Sequence, residues 1–219
     1  MLQDIQRILY HESTILDRLD ELAEALTDDY RGKDLTVIAI LNGSFIFMAD
    51  LLRRVPLPLQ VDCLNVSSYH GAKSTGRVAI RQNQLTAELE GRHVLILDDI
   101  LDSGTTLHII REHLAATSSS LSLKVCVLLR KEIDRPRRVE ADYVGFDIPN
   151  EFVVGYGLDY NGRYRNLPFI GVLTNEAIRR HSPPPTPEAR DQGSQRAPRR
   201  QGSEQRIHAL RRSTIRRPT

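Results

Sequence analysis

Long apolar runs are missing from this sequence, and their absence excludes a first class of protein. No stretch approaches the roughly 20 apolar residues that a membrane-spanning helix needs. The N-terminal segment is acidic and has a helical pattern, without the basic and apolar regions of a signal peptide. We therefore expect a cytoplasmic protein that does not enter a membrane.

Cysteine is also scarce, with two residues in a chain of 219. Cys63 and Cys126 each lie in an apolar stretch with no other cysteine or histidine nearby, which favours a place in the core over a metal or redox role. Apolar residues make up 40% and charged residues 26% of the chain, the proportions of an ordinary globular protein. A chain of this length fits one main domain.

Charge is spread unevenly along the chain. Residues 181–219 contain nine arginines and three acidic residues, whereas residues 1–180 contain 21 basic and 25 acidic residues. Because the first of these segments is poor in apolar residues and rich in Pro, Gln and Ser, we predict a domain of residues 1–180 followed by a disordered tail. The arginines suit contact with nucleic acid or an acidic partner, but an inert or solubilising extension is the favoured interpretation.

Within residues 1–180, short apolar runs alternate with amphipathic segments. Five runs are predicted as strands: Ile5–Leu9, Leu35–Leu41, Leu59–Val66, Val94–Leu97 and Leu123–Leu129. Three helices are predicted, one after a Ser13 cap, one after the turn at 42–44 and one over Leu107–Leu114. This alternation indicates an α/β fold, with a mainly parallel sheet flanked by helices on both faces.

The segment after Val94–Leu97 combines features that suit a sugar phosphate. Two acids, Asp98 and Asp99, follow the predicted strand, and a small hydroxyl-rich turn opens the next helix: Ser103, Gly104, Thr105 and Thr106. Free amides at a helix start favour a phosphate, and the acids suit vicinal hydroxyls or a magnesium ion. The lysine of a nucleotide P-loop is missing, so a monophosphate fits better. Taken singly, the features are also explained by a helix cap or by solvated acids; their conjunction favours a binding site.

These residues carry a family resemblance. The run Asp98-Asp99-Ile100-Leu101-Asp102-Ser103-Gly104-Thr105-Thr106 resembles the phosphoribosyl pyrophosphate signature of the type I phosphoribosyltransferases. Tyr143–Asn161 and Tyr164–Pro168 resemble the hypoxanthine-guanine phosphoribosyltransferases, and three shorter matches follow that family's order and spacing: Leu41–Ser44, Ser68-Tyr69 and Leu128–Lys131. The resemblance covers residues 5–175. It implies the type I phosphoribosyltransferase fold, with a small hood of terminal segments.

The resemblance also implies roles around the sugar. Asp98 and Asp99 would contact the ribose hydroxyls and the metal shell, and the 5-phosphate would bind to Ser103, Gly104, Thr105 and Thr106. Asp102 would lie beside the purine N7 and act as the general base. It is the acid that the resemblance assigns to catalysis.

Four residues are implied at the base: Lys131, Phe152, Val153 and Asp159. Lys131 would donate to the purine O6 and so distinguish a 6-oxo base from a 6-amino base. Phe152 would stack on the base, backbone groups near Val153 would meet its exocyclic edge, and Asp159 would also bind a second magnesium ion. Without the resemblance, Lys131 is a surface lysine in the basic stretch 130–138 and residues 152–154 are a core strand.

The pyrophosphate would be bound around Leu41, Asn42, Gly43 and Arg165. Asn42 stands where some relatives carry a lysine, so its side chain cannot supply a positive charge and the nearby backbone amides must contribute more. The loop 67–77, with Ser68 and Tyr69, corresponds to the family's closing lid, which would exclude water. A plain surface hairpin is the alternative for this loop.

The implied function is purine salvage by a glycosyltransferase. It would transfer the 5-phosphoribosyl group from phosphoribosyl pyrophosphate to hypoxanthine or guanine, with Mg²⁺ as cofactor, giving inosine or guanosine monophosphate. The alternative is a nucleotide-sensing regulator of the same fold that binds nucleic acid through its basic tail. A regulator has no need of Asp102, Lys131, Phe152 and Arg165 together, which favours the enzyme. The family also implies a homodimer or homotetramer, with residues 42–54 as an interface helix.

Overall fold

The computed structural model describes residues 1–66 and 85–181. The predicted lid residues Ser68 and Tyr69, and all of the predicted tail 181–219 except His181, lie outside the described residues. None of the described helices combines the length and the apolar character needed to cross a membrane.

Strands and helices alternate along the chain. In chain order the elements are β1 (Ile5–Tyr10), α1 (Glu12–Tyr30), β2 (Leu35–Leu41), α2 (Phe45–Leu52), β3 (Leu59–Asn65), β4 (His93–Leu101), α3 (Thr105–Thr117), β5 (Ser122–Lys131), β6 (Tyr143–Ile148), β7 (Val153–Val154), β8 (Ile170–Leu173) and α4 (Asn175–His181). Five strands form a parallel sheet in the order β3-β2-β4-β5-β6. The predicted α/β class with a mainly parallel sheet is confirmed.

Side chains that alternate along the central strands divide the core between the two faces of the sheet. Val37 and Leu95 pack with α1 and α2, whereas their neighbours Ile38 and Ile96 pack with α3. All four side chains are fully buried. Because helices cover both faces, the central strands are nearly continuous apolar runs, and this is why the sequence predicts them.

A second sheet joins segments that are far apart in the sequence. Its three antiparallel strands lie in the order β1-β8-β7. Beside it, the buried carboxylate of Asp4 accepts hydrogen bonds from Arg180 Nη1 at 2.9 Å and from Tyr164 Oη at 3.2 Å, while Asp4 O accepts one from Thr174 N at 2.8 Å. This sheet and α4 form the predicted hood.

Helix α1 begins earlier than the sequence predicts. Its N-cap is His11, whose carbonyl accepts a hydrogen bond from Ile15 N at 3.0 Å. Ser13 therefore lies in the first helical turn, and the predicted Ser13 cap is wrong. The physical reason is that His11 alone separates β1 from α1, so the helix starts directly after the strand.

The central and hood sheets also contain features that the sequence did not predict. Strand β4 continues to Leu101 rather than ending at Leu97, because its ladder with β5 extends through Asp98, Ile100 and Leu101. The two acids are thus part of the strand and not of the following loop. Strand β6 was missed because only two of its six residues are buried, and β8 because it has four residues.

Candidate active site

The carboxyl ends of β2, β4 and β5 surround a cavity of about 520 Å³. Parallel strands place these ends at one edge of the sheet, where ligands of this fold class bind. The predicted site residues in its lining are Leu41, Gly43, Asp98, Asp99, Asp102, Ser103, Gly104, Thr105, Thr106, Lys131, Phe152, Val153 and Asp159. Two predicted residues that the structure describes, Asn42 and Arg165, are not part of this lining.

Strand β4 brings two carboxylates to the floor of the cavity. Asp98 is 8% exposed, and its Oδ1 accepts a hydrogen bond from Asp99 N at 3.0 Å. Burial raises the pKa of Asp98 well above its ordinary value, and the adjacent charge of Asp99 raises it further. Burial also raises the pKa of Asp99. Two acids in this state favour a ligand that supplies hydroxyl donors or a cation.

The hydroxyl-rich turn connects β4 to α3. Gly104 has a φ of +74°, and a Cβ there would lie 3.0 Å from Val139 Cγ1, so the turn requires glycine. Ser103 Oγ lies 3.1 Å from Thr105 Oγ1, and Thr105 N donates to Ser103 Oγ at 3.4 Å. The first amides of α3 have no partners within the helix, and they lie at the positive helix end. The turn can therefore bind a phosphate.

Asp102 and Lys131 are brought together from different elements. Asp102 follows β4, Lys131 ends β5, and Lys131 Nζ lies 3.7 Å from Asp102 Oδ2. The lysine side chain is 14% exposed and the carboxylate 50%. The lysine that looked like a surface residue from composition alone is thus mostly buried. An acceptor and a donor at this separation can meet two neighbouring groups on one edge of a purine.

Phe152 and Val153 differ in environment although they are adjacent. Val153 is buried in β7, where it pairs with Val172, as expected for a core strand. Phe152 precedes the strand, is 42% exposed and contacts the Tyr160 ring edge-on, with centroids 5.1 Å apart. An exposed ring at the cavity offers a face on which a base can stack.

The loop after β2 packs tightly against the acids. The Leu41–Asn42 peptide is cis. A Cβ on Gly43 would lie 1.6 Å from Asp99 Oδ2, and a Cβ on Gly157 would lie 2.1 Å from Gly43 O. Glycine at both positions lets three segments approach closely: the loop after β2, strand β4 and the segment after β7. The side chain of Asn42 is exposed, outside this contact.

Asp159 and Arg165 form an ion pair at the edge of the cavity. Arg165 Nη2 lies 2.8 Å from Asp159 Oδ1, and Arg165 Nη1 donates to Gly157 O at 2.6 Å. Asp159 Oδ2 accepts a hydrogen bond from Gly162 N at 2.7 Å. Asp159 lines the cavity and Arg165 supports it from outside the lining. The contact of Arg165 with pyrophosphate stays a prediction.

Arg135 also lines the cavity, although the sequence predicts no role for it. It lies in the connection between β5 and β6, four residues after Lys131. The basic stretch 130–138 was the signal that could have identified it, but composition alone does not tell a cavity arginine from a solvated one.

Asp98 and Asp99 are candidate ligands for a cation that a substrate also coordinates. Among the residues that the structure describes, no group of three or more His, Cys, Asp or Glu side chains is arranged to hold a metal. Asp98 and Asp99 supply oxygen donors side by side. Mg²⁺ prefers oxygen ligands and commonly takes one or two carboxylates plus waters and substrate phosphates, so the donor set fits this ion.

A family model described as a phosphoribosyl transferase domain matches residues 6–161. This range contains every residue that lines the cavity. The match thus covers the hydroxyl-rich turn, both acids of β4 and the Asp102–Lys131 pair.

Curated proteins are similar over most of the chain. Hypoxanthine-guanine phosphoribosyltransferase of Streptococcus pyogenes is 43% identical over 175 residues, which cover 80% of this chain and 96% of that protein. The bifunctional protein TilS/HprT of Listeria monocytogenes is 47% identical over 177 residues, which cover 80% of this chain and 27% of that protein. The chain thus corresponds to about a quarter of the bifunctional relative.

Solved structures share the fold. A hypoxanthine phosphoribosyltransferase from Staphylococcus aureus superposes with a TM-score of 0.75 at 47% identity, covering 80% of this chain and 95% of that one. A hypoxanthine phosphoribosyltransferase from Trypanosoma cruzi, in a ternary substrates complex, gives a TM-score of 0.74 at 38% identity, covering 80% of this chain and 99% of that one.

Proposed function

The chain belongs to the phosphoribosyl transferase family and, within it, to the hypoxanthine-guanine phosphoribosyltransferases, and from this membership we propose that it acts in purine salvage. It transfers the 5-phosphoribosyl group of phosphoribosyl pyrophosphate to hypoxanthine or guanine and releases pyrophosphate. The observation that carries the proposal is the meeting of Asp102 and Lys131 beside the hydroxyl-rich turn in one cavity. The relatives give no support to the alternative of a nucleotide-sensing regulator.

Asp102 and Lys131 act on one edge of the base. A ring nitrogen of the purine attacks the sugar carbon, and the bond to pyrophosphate breaks with its electrons leaving on the pyrophosphate oxygen. The base becomes more acidic as its nitrogen bonds to carbon, and Asp102 accepts the proton from N7. Lys131 donates to O6, the neighbouring acceptor. A 6-amino group would present a donor to the ammonium and leave it unpaired, which disfavours adenine.

The sugar phosphate binds along β4 and the start of α3. Asp98 and Asp99 accept hydrogen bonds from the two ribose hydroxyls, which gives these buried carboxylates the donors that they need. The 5-phosphate accepts hydrogen bonds from the hydroxyls of Ser103, Thr105 and Thr106 and from amides at the helix start. These contacts fix the sugar carbon relative to Asp102.

Pyrophosphate and magnesium occupy the side of the cavity toward β2 and Asp159. The amide of Gly43 binds the pyrophosphate, since the side chain of Asn42 carries no charge, and Arg165 contacts it after exchanging its partner Asp159. Asp98 and Asp99 would hold one Mg²⁺ and Asp159 would bind a second, each together with substrate oxygens, and the bound ions would neutralise charge on the leaving group.

Phe152 stacks on the base, and the backbone at Val153 meets its exocyclic edge. Water competes with the base for the sugar carbon, so the site must exclude it during the reaction. The lid role of Ser68 and Tyr69 stays a prediction from the sequence.

The test is a product assay with the purified full chain. Phosphoribosyl pyrophosphate and MgCl₂ are mixed with hypoxanthine, guanine, xanthine or adenine, and nucleotides and pyrophosphate are quantified by chromatography. We expect inosine monophosphate from hypoxanthine and guanosine monophosphate from guanine, each in a molar yield equal to that of pyrophosphate. A chelator should abolish turnover, and turnover of adenine should be at least about 100-fold slower. Absence of product with all four bases would contradict the proposal.

Two further properties are predicted from the sequence and the family. A homodimer or homotetramer, with residues 42–54 at the interface, is checked by light scattering after size-exclusion chromatography. Cytoplasmic location is checked by cell fractionation.

A further inference from the structure

Arg137 connects the two side chains that act on the base. It lies between β5 and β6, and its side chain is 13% exposed. Arg137 Nε donates to the carbonyl of Asp102 at 3.1 Å, and Arg137 Nη2 donates to the carbonyl of Lys131. The third nitrogen, Nη1, lies 3.9 Å from Glu140 Oε1. One guanidinium thus binds the backbone of both residues.

The Arg137 bridge lies just beyond the end of the ladder between β4 and β5. The ladder between β4 and β5 ends at the pair Leu101 and Arg130. The next residues in register are Asp102 and Lys131, where the chain of β4 turns away toward α3. No ladder bond therefore fixes their separation at the point where chemistry requires it. The guanidinium of Arg137 bridges the two peptide units where the sheet no longer does.

An arginine is well suited to this task. Its planar guanidinium carries five donors in a fixed arrangement, so two carbonyl acceptors are held at a defined separation. A lysine could supply donors, but from one flexible point. The neighbouring backbone reinforces the bridge, because Arg138 N donates to Ser103 O at 3.4 Å. The segment after β5 is thereby attached to Asp102 and to Ser103, the first residue of the hydroxyl-rich turn.

We infer that Arg137 is a positioning residue, which holds Asp102 and Lys131 at the separation that lets them meet N7 and O6 of the same purine. The inference rests on the proposed function for its catalytic meaning, whereas the bridge itself is a property of the free protein. A displacement of about 1 Å at a reacting group can cost about 100-fold in rate. Loss of the bridge should therefore lower kcat/KM for the base and leave the binding of phosphoribosyl pyrophosphate nearly unchanged.

The experiment compares three variants by steady-state kinetics. Arg137→Met removes the donors and keeps the length of the side chain; Arg138→Met makes the same change at the exposed neighbour; Arg137→Lys restores a donor. We expect Arg137→Met to lower kcat/KM for hypoxanthine about 10-fold to 100-fold, with KM for phosphoribosyl pyrophosphate within threefold of the wild type. Arg138→Met should stay within twofold, and Arg137→Lys should recover part of the loss.

Hydrogen exchange supplies a readout that does not depend on activity. In Arg137→Met, the amides of residues 102–106 should exchange at least about fivefold faster than in the wild type and in Arg138→Met, measured in the free protein. Unchanged exchange in this segment overturns the inference, even if the wild type proves inactive with every base. Equal losses of kcat/KM for the base and for phosphoribosyl pyrophosphate, with no recovery in Arg137→Lys, would indicate a general structural role. That result would also overturn the inference.

Discussion

At the scale of single residues, Asp102 and Lys131 make an ion pair that is easy to open. Their charged atoms are 3.7 Å apart, and half of the Asp102 side chain is exposed. Pairs with an exposed partner contribute about 0–1 kcal/mol, because solvent screens the charges. A base that meets both groups therefore replaces a weak contact with two directed hydrogen bonds.

Replacing Asp102 should separate chemistry from sugar-phosphate binding. In Asp102→Asn the amide cannot accept the N7 proton, so we expect kcat to fall about 10²-fold to 10⁴-fold. KM for phosphoribosyl pyrophosphate should stay within threefold, since Asp98, Asp99 and the turn are unchanged. Steady-state assays with each substrate varied measure both values. Asp134→Asn, at an exposed acid of the next connection, is the matched control. Unchanged turnover would rule out the base role.

The buried acid Asp98 reduces stability at neutral pH. Burial, and then the charge of Asp99, raises the pKa of Asp98 above its value in the unfolded chain. The native state therefore holds the proton more tightly, and the stability that this confers at low pH is lost as the pH rises through the native pKa. This cost to stability fits the proposed role of Asp98 in ligand binding better than a role in the fold.

Asp98→Asn should stabilise the free protein at neutral pH and weaken its binding of substrate. The asparagine side chain does not titrate, so we expect a higher Tm than that of the wild type at pH 7–8. The increase should be about 2–4 °C for each kcal/mol that burial of the Asp98 charge costs the wild type. The difference should shrink as the pH falls toward 4. Circular dichroism melts with chelator and without substrate measure it, with Asp134→Asn as the control. A difference that does not vary with pH would contradict the assignment to Asp98.

At the scale of elements, the site depends on glycines where segments meet. A Cβ on Gly43 would contact the end of the Asp99 side chain, which can rotate, whereas a Cβ on Gly157 would contact the backbone carbonyl of Gly43. Gly157 also has a φ of +102°, which other residues rarely adopt. The two positions therefore tolerate substitution differently, although both serve the same corner of the cavity.

Alanine at Gly43 should affect mainly substrate binding, whereas alanine at Gly157 should affect mainly thermal stability. We expect Gly43→Ala to move the Asp99 carboxylate, weakening phosphoribosyl pyrophosphate binding at least about 10-fold with little change in Tm. Gly157→Ala should lower Tm by about 5 °C or more, because the backbone must shift. Calorimetric titration and thermal melts measure the two effects. Gly32→Ala, at a φ of +73° with open space around it, controls for backbone strain alone. Equal melting temperatures for the Gly43 and Gly157 variants would contradict the account.

Features that depend on a continuous stretch of sequence could be predicted, whereas features that depend on contacts between distant segments could not. The five apolar strands and the segment from Asp98 to Thr106 are continuous in sequence, so their patterns could be recognised. The Ser13 cap failed because a one-residue connection determined the start of α1. Arg135 and Arg137 were missed because their roles depend on how the connection after β5 folds back over the turn. Such a contact between segments has no period or motif that a single sequence reveals.

At the scale of the whole molecule, the cavity and both sheets lie within residues 1–181. A chain that ends at Ser182 should therefore keep its Tm within about 2 °C and its kcat within about twofold of the full chain. Calorimetry and steady-state kinetics check these values. The same truncation tests the tail: if residues 183–219 bind RNA, gel shifts with the full chain should disappear in the shorter one. A large loss of activity on truncation would contradict the predicted domain boundary.

The pairing of β1 with β8 also has a consequence during synthesis of the protein. Residues 5–10 leave the ribosome well before their partner strand, residues 170–173, which is made about 160 residues later. At about 5–20 residues per second, β1 waits roughly 8–30 s for a partner. The parallel sheet is complete earlier, since its last strand ends at Ile148. The nascent chain thus carries an open strand edge throughout this interval, and chaperones that protect such edges should act on β1 until the hood closes.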